Sequence, residues 1–159
     1  MDRSVKAVPF EATRLVRDTC LCLAVQRAAR TLARRFDAAF RLLGLNHGQF
    51  SLLMSLNRPV PAGMKDVAEL LAMDRTTLTA AVQVLERRLL VSVAVNPRDQ
   101  RGRLLTLTPA GRRMVAKALP IWKRQHTQIQ GRLAGSPDLL RQGLAAVSAH
   151  RGRRCADPA

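Results

Sequence analysis
Between Asp74 and Gly111 the apolar residues change their spacing twice, and few folds accept that order. Leu78, Val82, Leu85 and Leu89 recur at intervals of 4, 3 and 4, which predicts a helix over about Arg75–Leu89 with one buried stripe. Asp74 is a favourable N-cap for it. "LVSVAV" (90–95) and "RLLTLT" (103–108) then alternate with period two and carry branched side chains, so both read as strands. Asn96, Pro97 and Gly102 are turn formers between them, which predicts a hairpin with a loop of about seven residues. Thr108-Pro109 opens another helix, because threonine caps well and proline is accepted at the first helical position.

The flanking segments read as helices. Residues 1–12 look like a loose arm. From Thr13 to Leu43 the residues Leu21, Val25, Ala28, Leu32, Phe36, Ala39 and Leu43 fall three or four apart. A helix of that length is a rod of roughly 45 Å, long for a chain of 159 residues, and a stripe longer than its own domain packs against a partner chain. Gly44 stops the rod, with Leu45 as its hydrophobic contact. Asn46 and Gln49 form a capping box for a helix over His47–Leu56. "NRPVPAG" (57–63) is a connector, and "MKDVAELLAM" (64–73) is a short helix with Val67, Leu70 and Leu71 inside. The helix that starts at Pro109 runs to about Leu133 with a kink at Pro120. "AGSPD" (134–138) breaks it, a last helix covers about Pro137–His150, and "RGRRCADPA" is a basic tail.

Charge narrows the partners. There are 27 basic and 11 acidic side chains, a formal charge of +16, and 23 of the basic residues are arginine. Such a chain attracts polyanions, and arginine suits bidentate contact with phosphate and guanine. Nucleic acid is the first candidate and an anionic membrane surface the second; no apolar run is long enough to span a bilayer, so no membrane partner is expected. No signal peptide opens the chain, so the cytoplasm is the expected compartment, with Cys20, Cys22 and Cys155 reduced. Aromatics make up 3%, which predicts an aliphatic core.

The helix over 75–89 carries Thr76, Ala80, Gln83 and Arg87 on the side opposite its leucines. That stripe is narrow, polar towards the N-terminus and free of acid, as a helix entering a major groove requires. With the short helix before it, it makes a helix-turn-helix; with the basic hairpin after it, a winged helix. From 75 to 113 eight arginines face only Glu86 and Asp99. An arginine at a hairpin tip can enter a narrow minor groove, where negative potential concentrates. The residues expected to contact double-stranded DNA are Arg75, Thr76, Thr77, Thr79 and Gln83 on the helix and Arg98, Arg101 and Arg103 on the wing. Asp99 is expected to steer the Arg101 side chain. The expected fold is mainly α with a small β wing. Residues 1–45 form an arm and dimerisation helix, 46–110 the winged helix-turn-helix, and 111–159 C-terminal dimerisation helices and tail.

"DQRGRLLTLTPAG" (99–111) matches the wing pattern D-x-R-x-x-x-L-x-L-T-x-x-G of the MarR family of bacterial transcription regulators, through Asp99, Arg101, Leu105, Leu107, Thr108 and Gly111. "VAELLAMDRTTLTAAVQVLERRLL" (67–90) resembles that family's helix-turn-helix, and "LGLNHGQFSLL" (43–53) its second-helix entry. The resemblance covers about Cys20–Leu133. It implies a homodimer, each winged helix on one half of a pseudo-palindromic operator, and in many relatives a small, often anionic aromatic ligand that releases DNA. The expected role is that of a repressor, and no cofactor is expected. One departure stands out: the family has glycine just after the reading helix, where this chain has Leu89. A left-handed leucine costs about 1–2 kcal/mol, so a different turn is expected there.

The position of Cys22, 22 residues before Gly44, resembles that of the reactive cysteine in the branch of the family that senses organic peroxides. By that branch's offsets, two tyrosines of the partner chain would fall at Phe36 and His47 here; His47 could lower the thiol pKa and Phe36 could not. Cys155 would be a resolving thiol. The alternative is a structural cysteine. The scattered carboxylates and three histidines form no catalytic set and no metal site, so no enzyme is expected. A sequence-neutral architectural DNA binder is the remaining rival.

Overall fold
A computed structural model describes residues 7–148. His150, Cys155, the start of the arm and the basic tail lie outside the described residues. The elements are α1 (Phe10–Thr19), α2 (Leu21–Phe40), a 3-10 turn (Arg41–Leu43), α3 (His47–Ser55), β1 (Ala62–Gly63), α4 (Met64–Leu71), α5 (Arg75–Arg87), β2 (Val91–Asn96), β3 (Asp99–Leu107), α6 (Pro109–Gln130) and α7 (Pro137–Ser148). The fold is mainly α with one small antiparallel sheet, of strand order β1-β3-β2.

The single rod expected over 13–43 is two helices. Cys20 has extended backbone: its amide closes α1 on the Val16 carbonyl, and its sulfur accepts the Leu23 amide at 3.4 Å to open α2. Asp18, Thr19 and Cys20 are all indifferent helix formers, so the break falls where continuation is least favoured. The helical part also begins earlier than expected, at Phe10.

The core is not purely aliphatic either. Phe36, Phe40 and Phe50 form a column with centroid separations of 5.9 and 4.7 Å, and Phe40 is completely buried. Leu52, Leu53, Val67, Leu78, Leu85 and Leu105 pack around it, joining α3, α4, α5 and β3 into one lobe. Capping decides where the helices start. Asn46 and Gln49 form the reciprocal capping box on α3, and the Thr108 hydroxyl accepts the Gly111 amide at the head of α6. α6 continues through Pro120 to Gln130. No helix among the described residues is long and apolar enough to cross a membrane.

Two left-handed residues set the turns on either side of α5. Ala72 (φ 52°) closes α4, with the Met73 amide on the Ala68 carbonyl. Leu89 (φ 58°) closes α5: its amide bonds the Glu86 carbonyl at 2.8 Å, and the Leu90 amide bonds the Leu85 carbonyl at 2.9 Å. That is the Schellman pattern, normally built with glycine. The different turn expected at this point is therefore absent; leucine occupies the glycine conformation. Leu89 also leaves the buried stripe, with 73% of its surface exposed. Leu89→Gly is expected to stabilise the fold by about 0.5–1 kcal/mol, since it relieves left-handed strain and removes an exposed apolar side chain. Urea unfolding followed by circular dichroism measures it; a loss of stability would contradict the strain argument.

Candidate nucleic-acid interface
α5 buries Leu78, Val82 and Leu85 and exposes Thr76, Ala80, Gln83 and Arg87, as its periodicity predicts. Asp74 caps it: one carboxylate oxygen accepts the Thr77 amide at 2.8 Å and the other the Thr77 hydroxyl at 2.6 Å. These bonds, the hydroxyl first, hold the Asp74 carboxyl below its ordinary value. Its contribution to stability is therefore complete above the unfolded aspartate value near 3.9 and is lost as pH falls through the lower folded value. Asp74→Asn keeps an acceptor without the charge. It is expected to lose less stability between about pH 7 and pH 3 than the parent chain; equal losses in urea titrations at the two pH values would contradict this.

The wing is tighter than the sequence suggests. β2 ends at Asn96 and β3 starts at Asp99, so Pro97 and Arg98 alone make the turn instead of a loop of seven. The register slips beyond Val95↔Arg103 to Asn96↔Asp99, which pushes Gln100–Gly102 out as a bulge. Three side chains hold that shape. Asn96 Oδ1 accepts the Arg98 amide, and Asp99 Oδ1 accepts the Arg101 amide, both at 3.0 Å. The Arg103 guanidinium donates to the Gln100 and Gly102 carbonyls, each at 3.0 Å. Asp99 thus positions Arg101 through its backbone and makes no bond to its side chain. Arg103 braces the bulge, while the Arg98 and Arg101 guanidinium groups make no hydrogen bond among the described residues.

α5 and the wing face one another across an open groove of about 860 Å³, floored by the start of α4. Arg75, Thr79 and Gln83 line it from α5, and Asp99, Arg101 and Arg103 from the wing. Thr76, Thr77 and Arg98 are exposed but do not line it. The Thr77 hydroxyl is engaged by Asp74, and the Thr79 hydroxyl donates to the Arg75 carbonyl at 2.7 Å. Lys65, Asp66 and Glu86 also border the groove, so four cations there meet three carboxylates. The sequence reading missed Lys65 and Asp66 because it treated α4 only as a support, and missed β1 because two residues give no periodicity. Arg88, one of the eight arginines between 75 and 113, is a clamp and not part of the free basic surface, donating to the Gly44 carbonyl at 2.8 Å and to Gln49 Oε1 at 3.4 Å.

Cys22 and His47 are not brought together within one chain. The Cys22 sulfur is exposed and accepts from Gln26 Nε2 at 3.2 Å. His47 sits on Asp37, through its amide at 2.7 Å and Nδ1 at 3.0 Å, and Asp37 lies about 22 Å along α2 from Cys22. The amide bond is the main cause holding the Asp37 carboxyl below its ordinary value. Elsewhere, Phe50, Met54, Leu70, Leu71, Leu119 and Trp122 line an apolar hollow of about 390 Å³ between α3, α4 and α6.

No family model matches the chain. The transcriptional activatory protein BadR of Rhodopseudomonas palustris is 36% identical over 89 residues, 54% of this chain, and the match spans about half (51%) of that curated relative's length. Among solved structures, the transcriptional regulator MosR of M. tuberculosis, in complex with DNA, is 32% identical with a TM-score of 0.71, covering 82% of this chain and 98% of its own. The transcriptional repressor CouR, bound to a 23-mer DNA duplex, is 26% identical with a TM-score of 0.68, covering 84% of this chain and 93% of its own. With α5 and its wing arranged as described and MosR matched over nearly its whole length, the chain belongs to the MarR family of transcription regulators and carries their DNA-binding fold.

Proposed function
We propose that the chain is a sequence-specific DNA-binding repressor that works in the cytoplasm as a homodimer on a pseudo-palindromic operator. The observation that carries this is the shared groove, in which Arg75, Thr79 and Gln83 of α5 stand opposite Arg101 of the wing. α5 enters the major groove, where Arg75, Thr76 and Gln83 meet base edges or phosphates. Thr77 and Thr79 approach the backbone, and the wing lays Arg98 and Arg101 into the adjacent minor groove, shaped by Asp99 and Arg103. DNA-bound MosR and CouR support this reading. Occupancy alone represses where an operator overlaps a promoter.

Residues 46–110 form the reading lobe, and 1–45 with 111–159 the dimerisation region. Neither α1 nor α7 buries a single residue in the described chain. Phe10, Leu15, Val16, Leu139, Leu140 and Val147 are exposed on them, and a second copy covers such a surface at the least energetic cost. The hollow beside Trp122 suits a flat aromatic effector; no charged side chain lines it, so an anionic group on that ligand would stay at its mouth. Trp122 is the only tryptophan, so its fluorescence reports occupancy directly.

Selection from a random duplex pool tests the reading. Enrichment of an inverted repeat with half-sites about one helical turn apart is the expected outcome. A pool that stays random after selection would leave only sequence-neutral binding.

A further inference from the structure
The reading groove, with four cations among three carboxylates, does not hold most of the +16 charge. Part of the remainder forms a row on α2 and the turn that ends it. Arg27, Arg30 and Arg34 of α2 and Arg41, the first residue of the 3-10 turn that continues it, fall within about 60° of one another around the helix axis and span roughly 21 Å along it. All four are exposed, and none is ion-paired among the described residues. The nearest carboxylate on the helix, Asp37, is engaged by His47. Like charges at these spacings repel and weaken a helix, so the row is a standing liability unless an anion meets it.

We infer that this outer face of α2 is a second, sequence-neutral seat for duplex DNA, separate from the α5–wing groove. Val25 and Leu32, the half-exposed apolar residues of α2, lie on the opposite side, so pairing of two copies through them leaves the arginines facing solvent. The arginines are flanked by Ala38 and Thr31 and present no aromatic anchor; the one exposed large apolar side chain beside them, Leu42, stands at the end of the row next to Arg41. A protein partner wants a buried aromatic or aliphatic hot spot; a phosphate backbone wants only cations. Along one strand of duplex DNA the charges are about 3.4 Å apart, so the 21 Å row can follow about six phosphates. Resting on the chain's proposed action on DNA, the seat raises local DNA concentration around the reading elements and sets the salt sensitivity of binding.

The test is a salt titration of the full dimer and of its Arg27→Gln/Arg30→Gln/Arg34→Gln variant on a random-sequence duplex. The expected result is a loss of at least tenfold in affinity at moderate salt and a log–log salt slope shallower by about 2–3. The Lys triple variant, which keeps the charge, should retain binding, and dimer mass should be unchanged in both. Preference for the selected inverted repeat over random duplex should rise in the Gln variant. Unchanged affinity and slope on random duplex would overturn the inference. So would polyglutamate binding the parent chain more tightly than duplex and losing that binding in the Gln variant, which assigns the face to an acidic protein. Failure of the operator reading looks different: no sequence is enriched, while the Gln variant still loses random-duplex binding.

Discussion
Replacing Gly111 with alanine is expected to destabilise the chain by about 3 kcal/mol or more, a large share of a small domain's stability. A Cβ at 111 would fall far inside contact distance of the Leu90 carbonyl oxygen, with the Leu90 carbonyl carbon at 3.0 Å and Leu107 Cδ2 at 3.2 Å. The obstacle is backbone, which cannot rotate away. Two bonds hold the same junction: the Thr108 amide to the Leu90 carbonyl at 3.1 Å, and the Thr108 hydroxyl to the Leu89 carbonyl at 2.6 Å. Moving α6 away from the first wing strand to make room breaks both and tilts the wing against α5. Gly48, near the start of α3, is the control. A Cβ there makes an ordinary contact of 3.5 Å with Asn46, so Gly48→Ala is expected to be neutral or slightly stabilising. Urea unfolding of the two variants decides the matter; similar stabilities would show that the junction yields.

Arg101→Ala is expected to lower affinity for the selected operator about 10- to 100-fold and, with one Arg101 in each half-site, to make the salt dependence shallower by about two units of slope. The chain loses little stability with it, because the Arg101 side chain bonds nothing among the described residues. Arg103→Ala should behave differently. Its guanidinium ties the Gln100 and Gly102 carbonyls, so its removal loosens the bulge and reaches DNA only through the position of Arg101. A double-mutant cycle on operator binding checks this: independent losses for the two arginines would contradict the division of labour.

Elements whose boundaries are written in local side-chain chemistry were legible before the structure. Asn46 with Gln49, Asp74 and Thr108 each satisfy the backbone amide three residues on, and each starts a helix where expected. The leucine stripe of α5 placed its outward face correctly. What stayed hidden depends on partners distant in sequence or on a local contest. Whether helix runs through Cys20 depends on a sulfur competing for the Leu23 amide. The two-residue strand β1 exists only because Leu104 and Leu105 offer it a partner. Arg88 and Arg103 look like surface charge until Gly44 and the wing carbonyls are seen beside them. Leu89 shows the limit of residue preference: the bonds that close α5 hold a leucine where glycine is favoured, and its side chain stands mostly in solvent there.

Dimethyl sulfate probing of the selected duplex tests the central claim most directly, since the reagent marks guanine N7 in the major groove and adenine N3 in the minor groove. Binding of α5 and its wing to adjacent grooves predicts two patches of guanine N7 protection about one helical turn apart, each flanked by adenine N3 protection that disappears in Arg101→Ala. Protection confined to one groove, or a minor-groove pattern untouched by Arg101→Ala, would contradict it.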